Sequence, residues 1–305
     1  MSHGLKRREF VTAAACGLMG AAPRRIIDAH THFYDPRRPQ GVPWPPKNDA
    51  VLYQPTLPER YRKLVEPLGV AGTVVVEASP WLEDNQWILD LAKDQPSIVG
   101  FVGNLDPGAP EFASHLARFT KNPLFRGIRV GSRNLSRGLP APAFVTGVER
   151  LAAQDLELDI LGGPELFADV VRLSDRVPKL RVVINHLPYD WPRDNTARQA
   201  SQTAFRELKG RPGVFAKVSG VLRRIGGRVP DDAAFYQASL DEVWEVFGAD
   251  RVIYASNWPV SDKLAPYATV LKVVTEYFGG KGEEVSAKYF RRNSGTAYKW
   301  LDRRA

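Results

Sequence analysis

The sequence predicts an α/β protein, a single (β/α)8 TIM barrel, on three observations. Eight short β-rich runs are almost continuously apolar, as strands covered on both faces of a parallel sheet are. Longer amphipathic stretches separate them, the alternation that builds such a sheet. The 305-residue chain exceeds the roughly 250 residues a closed barrel uses, and no repeat or linker divides it.

The elements follow in order. Residues 1–25 open with Lys6-Arg7-Arg8-Glu9 and continue into the small, apolar run Thr12 to Ala22. A basic start with paired arginines before a short apolar stretch predicts a twin-arginine-type export signal, hence an exported or periplasmic protein. Pro23 behind Ala21-Ala22 disfavours clean removal. The alternative is a plain N-terminal extension on a cytoplasmic protein. The barrel is expected over 26–305.

Its strands are predicted at Ile26–His30, Gly72–Glu77, Ile98–Gly103, Gly127–Val130, Leu156–Leu161, Arg181–His186, Val214–Ser219 and Val252–Ser256. Helices are expected over Glu83–Gln95, Pro110–Lys121, Pro164–Val177 and Asp231–Phe247. Several open with proline or an acidic residue, as helix N-termini do. One or two helices over Glu283–Asp302 close the barrel. The proline-rich segment Phe33–Pro58 follows the first strand, which places it on the catalytic rim as part of a lid or as a stiff connection.

Composition narrows the function classes. Half of the formal charge of +8 lies in the first 25 residues. No Lys/Arg stripe interleaved with aromatics appears, so a nucleic-acid partner is not expected. The remaining charge suits a small anionic substrate. No run approaches the roughly 20 apolar residues of a membrane span. Cys16 is the lone cysteine, which rules out an intramolecular disulfide. A homo-oligomer remains open.

The chemistry is concentrated at strand ends, where barrel enzymes hold their catalytic groups. In Asp28-Ala29-His30-Thr31-His32-Phe33, strand alternation aims His30 and His32 the same way, into the mouth. Two imidazoles so spaced can share one metal ion. His186 ends the sixth strand and joins them. Of the other histidines, His3 lies in the leader and His115 in a predicted helix, where it reads as structural.

With the eighth strand ending Ser256-Asn257-Trp258-Pro259, the chain resembles the amidohydrolase-related family of the amidohydrolase superfamily, in its sugar-acid and dicarboxylate lactonase branch. The matching motifs are Asp-Ala-His-Thr-His-Phe (28–33), Phe-Arg-Gly-Ile-Arg-Val (125–130), Ile-Asn-His-Leu-Pro (184–188), Phe-Ala-Lys-Val-Ser-Gly (215–220) and Ala-Ser-Asn-Trp-Pro-Val (255–260). The resemblance implies a hydrolase whose barrel carries the site on these strands. It also exposes a departure: the family commonly has an aspartate, as metal ligand or base, where this chain has Asn257. A neutral amide takes up no proton at ordinary pH. The fifth strand ends Ile160-Leu161-Gly162 with no further ligand, and Arg129 stands where a bridging lysine would, so a two-metal site is not expected.

Two ways of activating water stay open. His30, His32 and His186 would hold one divalent ion, zinc by preference, with water at the fourth position and Asn257 or Glu77 alongside. Otherwise a histidine serves as base without metal, and cationic groups hold the oxyanion. The expected catalytic set is therefore His30, His32, His186 and Asn257. Arg129 and Lys217 are candidates to bind substrate oxygens, Glu77 to accept its hydroxyls or to pair with either cation, and Trp81, Tyr189 and Trp258 to wall the pocket, with Trp44 a weaker candidate. The leading expectation is a lactonase that opens a small anionic cyclic ester. The alternatives are an isomerase, lyase or decarboxylase on a related acid, and a binding protein that has lost its base.

Overall fold

The structure, a computed structural model, describes residues 25–303. The predicted leader falls almost wholly outside the described residues. Eight strands form one sheet: β1 (Ile26–Thr31), β2 (Val70–Val76), β3 (Ile98–Gly103), β4 (Phe125–Gly131), β5 (Glu157–Leu161), β6 (Arg181–Leu187), β7 (Val214–Val218) and β8 (Val252–Tyr254). They pair in sequence order, every pair parallel. Thr31 bridges Trp258 in parallel, and the His32 N–H donates to the Trp258 carbonyl at 2.9 Å, which closes the sheet. With helices between the strands, this is the predicted (β/α)8 barrel.

The two cores explain the apolar runs. Ile27, Val74, Val76, Val183, Phe215 and Ile253 pack together inside the barrel. Their strand neighbours, among them Val75, Val182, Ile184, Val214 and Val252, pack outward in a larger cluster with the helices. Strands covered on both faces need apolar residues at both parities.

The helices largely fall where expected. Glu83–Gln95 forms as Leu82–Leu91, Pro110–Lys121 as Phe112–Phe119, and Pro164–Val177 as a short 3-10 turn running into Phe167–Arg176. The helix begun at Ala233 is capped by the Asp232 carboxylate, which accepts the Ala234 N–H, and it breaks at Gly248 (φ 60°), one residue past the predicted end. The C-terminal segment differs in detail. Helix Glu283–Ala287 passes through a π-helical stretch, Lys288–Arg292, into Asn293–Tyr298, and ends at left-handed Lys299. That path places Tyr298, wholly buried, among the barrel-interior residues.

The proline-rich rim segment forms no helix until Pro58 opens the helix Pro58–Val65, and Tyr34 and Thr56 clip its ends by exchanging backbone hydrogen bonds of 2.9 Å. Trp44 within it sits edge-on to His32 and to Tyr34, with ring centroids 5.6 and 5.4 Å apart. The segment thus lies against the mouth. Among the described residues no helix is long and apolar enough to cross a membrane.

Candidate active site

The first strand carries the site because its alternation is interrupted. A register shift between Asp28 and Thr31 inserts an extra residue against β2. Asp28 therefore faces the helices while His30 and His32 face the interior. The buried Asp28 carboxylate accepts from Tyr61 Oη (2.9 Å), Tyr267 Oη (3.0 Å), the Ser256 N–H (2.9 Å) and Ser256 Oγ (2.6 Å). Burial pushes its carboxyl above the ordinary carboxylate range, and these donors pull it back. The knot ties β1 to the end of β8 directly behind the histidines.

The proton positions on the first two imidazoles follow from their partners. His32 Nδ1 lies 2.9 Å from the Val76 carbonyl, which only accepts, so this nitrogen carries the hydrogen. His30 Nδ1 lies 3.1 Å from the Lys217 ammonium, which only donates, so the His30 hydrogen is on Nε2. The two Nε2 atoms are 3.1 Å apart, and His30 donates to His32. Lys217 also donates to Asp159 Oδ2 at 2.6 Å, and Tyr298 Oη donates to Asp159 Oδ1 at 2.8 Å. A continuous hydrogen-bonded network thus joins Tyr298 and Lys217, which both donate to Asp159, and extends from Lys217 to both histidines.

Electrostatics keeps these imidazoles neutral. Burial first, then the positive charges of Lys217 and Arg129, hold His30 and His186 well below the ordinary histidine range. His32 is depressed to about 3, again by burial and then by Arg129. Burial also lowers Lys217, which Asp159 opposes. Glu157, one alternation deeper on β5, is pushed well above the ordinary carboxyl range by burial and by the Asp159 charge, and so is neutral.

His186 reaches the mouth by a backbone device. Val183 and, by parity, Asn185 face the barrel interior, so His186 should face outward. Its left-handed φ of 65° turns the ring back, with its centroid 4.6 Å from that of His30. Its Nδ1 lies 2.9 Å from Ser219 Oγ. Gly220 permits this, since a Cβ there would collide with the His186 carbonyl. Asn257 is likewise left-handed, at 59°, a conformation asparagine tolerates better than most residues.

A cavity of about 530 Å3 opens above this floor, with His32, Trp44, Glu77, Arg129, His186 and Asn257 in its wall. Arg129 bonds Glu77 twice, Nε to Oε1 and Nη2 to the carbonyl oxygen, each at 2.8 Å, which leaves its other N–H groups for a ligand. His30 and Lys217 lie wholly buried beneath. The structure thus brings together His30, His32, His186, Asn257, Glu77, Arg129 and Lys217, with Trp44.

It does not bring Trp81, Tyr189 or Trp258 into the cavity wall. Trp81 is 38% exposed on the loop beyond Glu77. Tyr189 donates to the Asn185 carbonyl and packs on Phe167. Trp258 is fully buried against Tyr61 and Phe33. The left-handed residue before it resets the alternation and swings its ring outward.

Asp159, Glu157 and Tyr298 were not anticipated. The signal was present: two carboxylates alternating in the otherwise apolar strand Glu-Leu-Asp-Ile-Leu, and a lysine on β7 that burial obliges to find a counter-ion.

A resident ion fits this donor set poorly. It would need the lone pairs of both Nε2 atoms, and the Lys217 contact places the His30 proton on one of them. Among the described residues no group of three or more His, Cys, Asp or Glu side chains is arranged to hold a metal.

Comparison with known proteins agrees with the fold and the motifs. The family description "Amidohydrolase" matches residues 27–300. An L-fucono-1,5-lactonase of Burkholderia ambifaria is 31% identical over 77% of this chain and 80% of its own. Another from Burkholderia multivorans is 28% identical over 82% and 88%. An amidohydrolase crystal structure from Burkholderia multivorans, solved with bound zinc, superimposes with a TM-score of 0.79 at 24% identity, covering 90% of this chain and 99% of that one. The eight-strand barrel, the paired histidines of β1 and a match across nearly the whole described chain lead to one conclusion: the protein is a hydrolase of the lactonase-like part of the amidohydrolase superfamily and belongs to the amidohydrolase family.

Proposed function

We propose that the protein hydrolyses a small sugar-acid lactone without drawing on a resident metal. The observation that carries this is the convergence of neutral His186, Arg129 and Asn257 on one cavity above the buried Lys217–His30–His32 chain. The lactonase names of the two curated relatives support the reaction class over isomerisation, decarboxylation or binding alone. The zinc in the superimposed amidohydrolase keeps a divalent ion as the second reading for this chain.

The chemistry requires an activated water, a held oxyanion and a proton for the leaving oxygen. With the Nδ1 hydrogen donated to Ser219 Oγ, His186 has a lone pair on Nε2 for the water proton. The water oxygen bonds to the lactone carbonyl carbon, and the carbonyl electron pair moves onto its oxygen. The remaining N–H groups of Arg129 and the Asn257 amide stabilise that oxyanion. Collapse breaks the bond from carbonyl carbon to ring oxygen, and His186 returns its proton to the ring oxygen. The product is a hydroxy acid, which ionises at neutral pH. Glu77, held by Arg129, is placed to accept ring hydroxyls. The paired arginines Arg7 and Arg8 ahead of their apolar run support action after export.

His186→Ala removes the base and should lower kcat/KM by about 10²–10⁴-fold with the fold unchanged by circular dichroism. A variant within threefold of the parent rate would remove His186 from the proton path.

A further inference from the structure

Beside the mouth lies a second chamber of about 130 Å3, set between the loops after β7 and β8 and the helix Tyr267–Gly279. His186, Asn257 and Val260 line both cavities, so the chamber adjoins the point where water is activated. Its deeper wall is aliphatic: Val218, Val221, Leu222, Val270 and Val274, all buried. Of the chamber's three serines, Ser219 is engaged by His186 and Ser256 by Asp28. Ser261 is 8% exposed and lines the chamber, and its hydroxyl has no hydrogen-bond partner among the described residues. A buried hydroxyl without a partner is costly and marks a place where a ligand atom completes the bonding. A chamber roomier than a single water yet lined mainly by aliphatic groups is ill suited to being filled with water alone.

We propose that this chamber takes an arm of the substrate: a short, mostly apolar substituent bearing one oxygen, attached to the lactone carbon next to the ring oxygen. The attachment point follows from the catalytic geometry and rests on the lactonase reading. His186 must reach the ring oxygen to return its proton, and the chamber begins at His186, so the carbon beside that oxygen directs its substituent inward. The aliphatic wall selects for methylene groups, and Ser261 selects for a single oxygen on the arm.

The test is a series of δ-lactones bearing hydrogen, methyl, ethyl, propyl or hydroxymethyl on the carbon next to the ring oxygen. Hydrolysis is followed by acid release. Binding of the corresponding ring-opened 5-hydroxy acids is followed by NMR line broadening. In the parent protein kcat/KM should rise about fourfold per added methylene until the chamber is full. Val270→Phe should flatten that dependence to within twofold, and Val270→Ala should shift the optimum to a longer arm. Ser261→Ala should lose the preference for hydroxymethyl over methyl. Turnover independent of the arm, or the same arm preference in both Val270 variants, would overturn the proposal and leave the lactonase reading standing. Should none of the lactones turn over, tighter binding of the longer acids would retain the chamber and remove the lactonase reading. Binding indifferent to the arm would then overturn the chamber as well.

Discussion

Asn257 puts a neutral side chain in the cavity wall, and the proposed mechanism uses its amide as a donor. A neutral donor facing the lactone carbonyl stabilises an oxyanion, whereas a carboxylate at the same point repels it. Asn257→Asp should therefore lower kcat, by about tenfold or more, in steady-state hydrolysis assays. A rise in turnover would mean that the missing carboxylate is the limiting feature and that His186 is not the base. The residues legible from the sequence were those at strand ends, namely His30, His32 and Arg129. Trp258 was assigned to the pocket wall because its left-handed neighbour, invisible in the sequence, reverses the face on which its ring emerges. Asp159 lies two positions before the end of its strand, away from the strand ends that mark the other site residues.

At the scale of elements, the strand positions were legible because burial on both faces demands apolar residues at both parities, a signal few other elements mimic. The bulge in β1 was not, since nothing in Asp-Ala-His states which of its residues is the extra one. The C-terminal helices were placed correctly as a closing segment, yet the π-helical stretch that swings Tyr298 into the barrel has no compositional mark. The junction of β6 with β7 carries its own prediction. Gly220 is the only residue type that clears the His186 carbonyl, so Gly220→Ala must displace the loop bearing His186 or distort its backbone. The expected result is a fall in kcat of about 10²-fold, the scale of a misplacement near 1 Å, with a smaller change in melting temperature. A variant with parental kcat would show that the His186 backbone position is not critical.

For the whole molecule, the cluster of neutral imidazoles makes stability depend on pH. His30, His32 and His186 have folded pKa values below the ordinary histidine value, lowered by burial and by the neighbouring cations. Between that ordinary value and the depressed ones, the unfolded chain binds protons that the folded protein does not. Stability is therefore fully present above about pH 6.5 and falls as the pH drops below it. Each histidine steepens the fall by about 1 kcal/mol per pH unit. Denaturant titrations between pH 7 and pH 4 should show this loss, and the His32→Gln variant a shallower one. Equal slopes in the two proteins would mean that His32 is not held neutral by the fold.

The most direct measurement of the central claim is acid release from L-fucono-1,5-lactone and related sugar-acid lactones, followed with a pH indicator in the presence of a strong chelator. Hydrolysis is expected to persist after chelation and to be lost in His186→Ala. Hydrolysis abolished by chelation and restored by zinc would contradict the metal-free mechanism, and no acid release from any lactone would contradict the proposed activity itself.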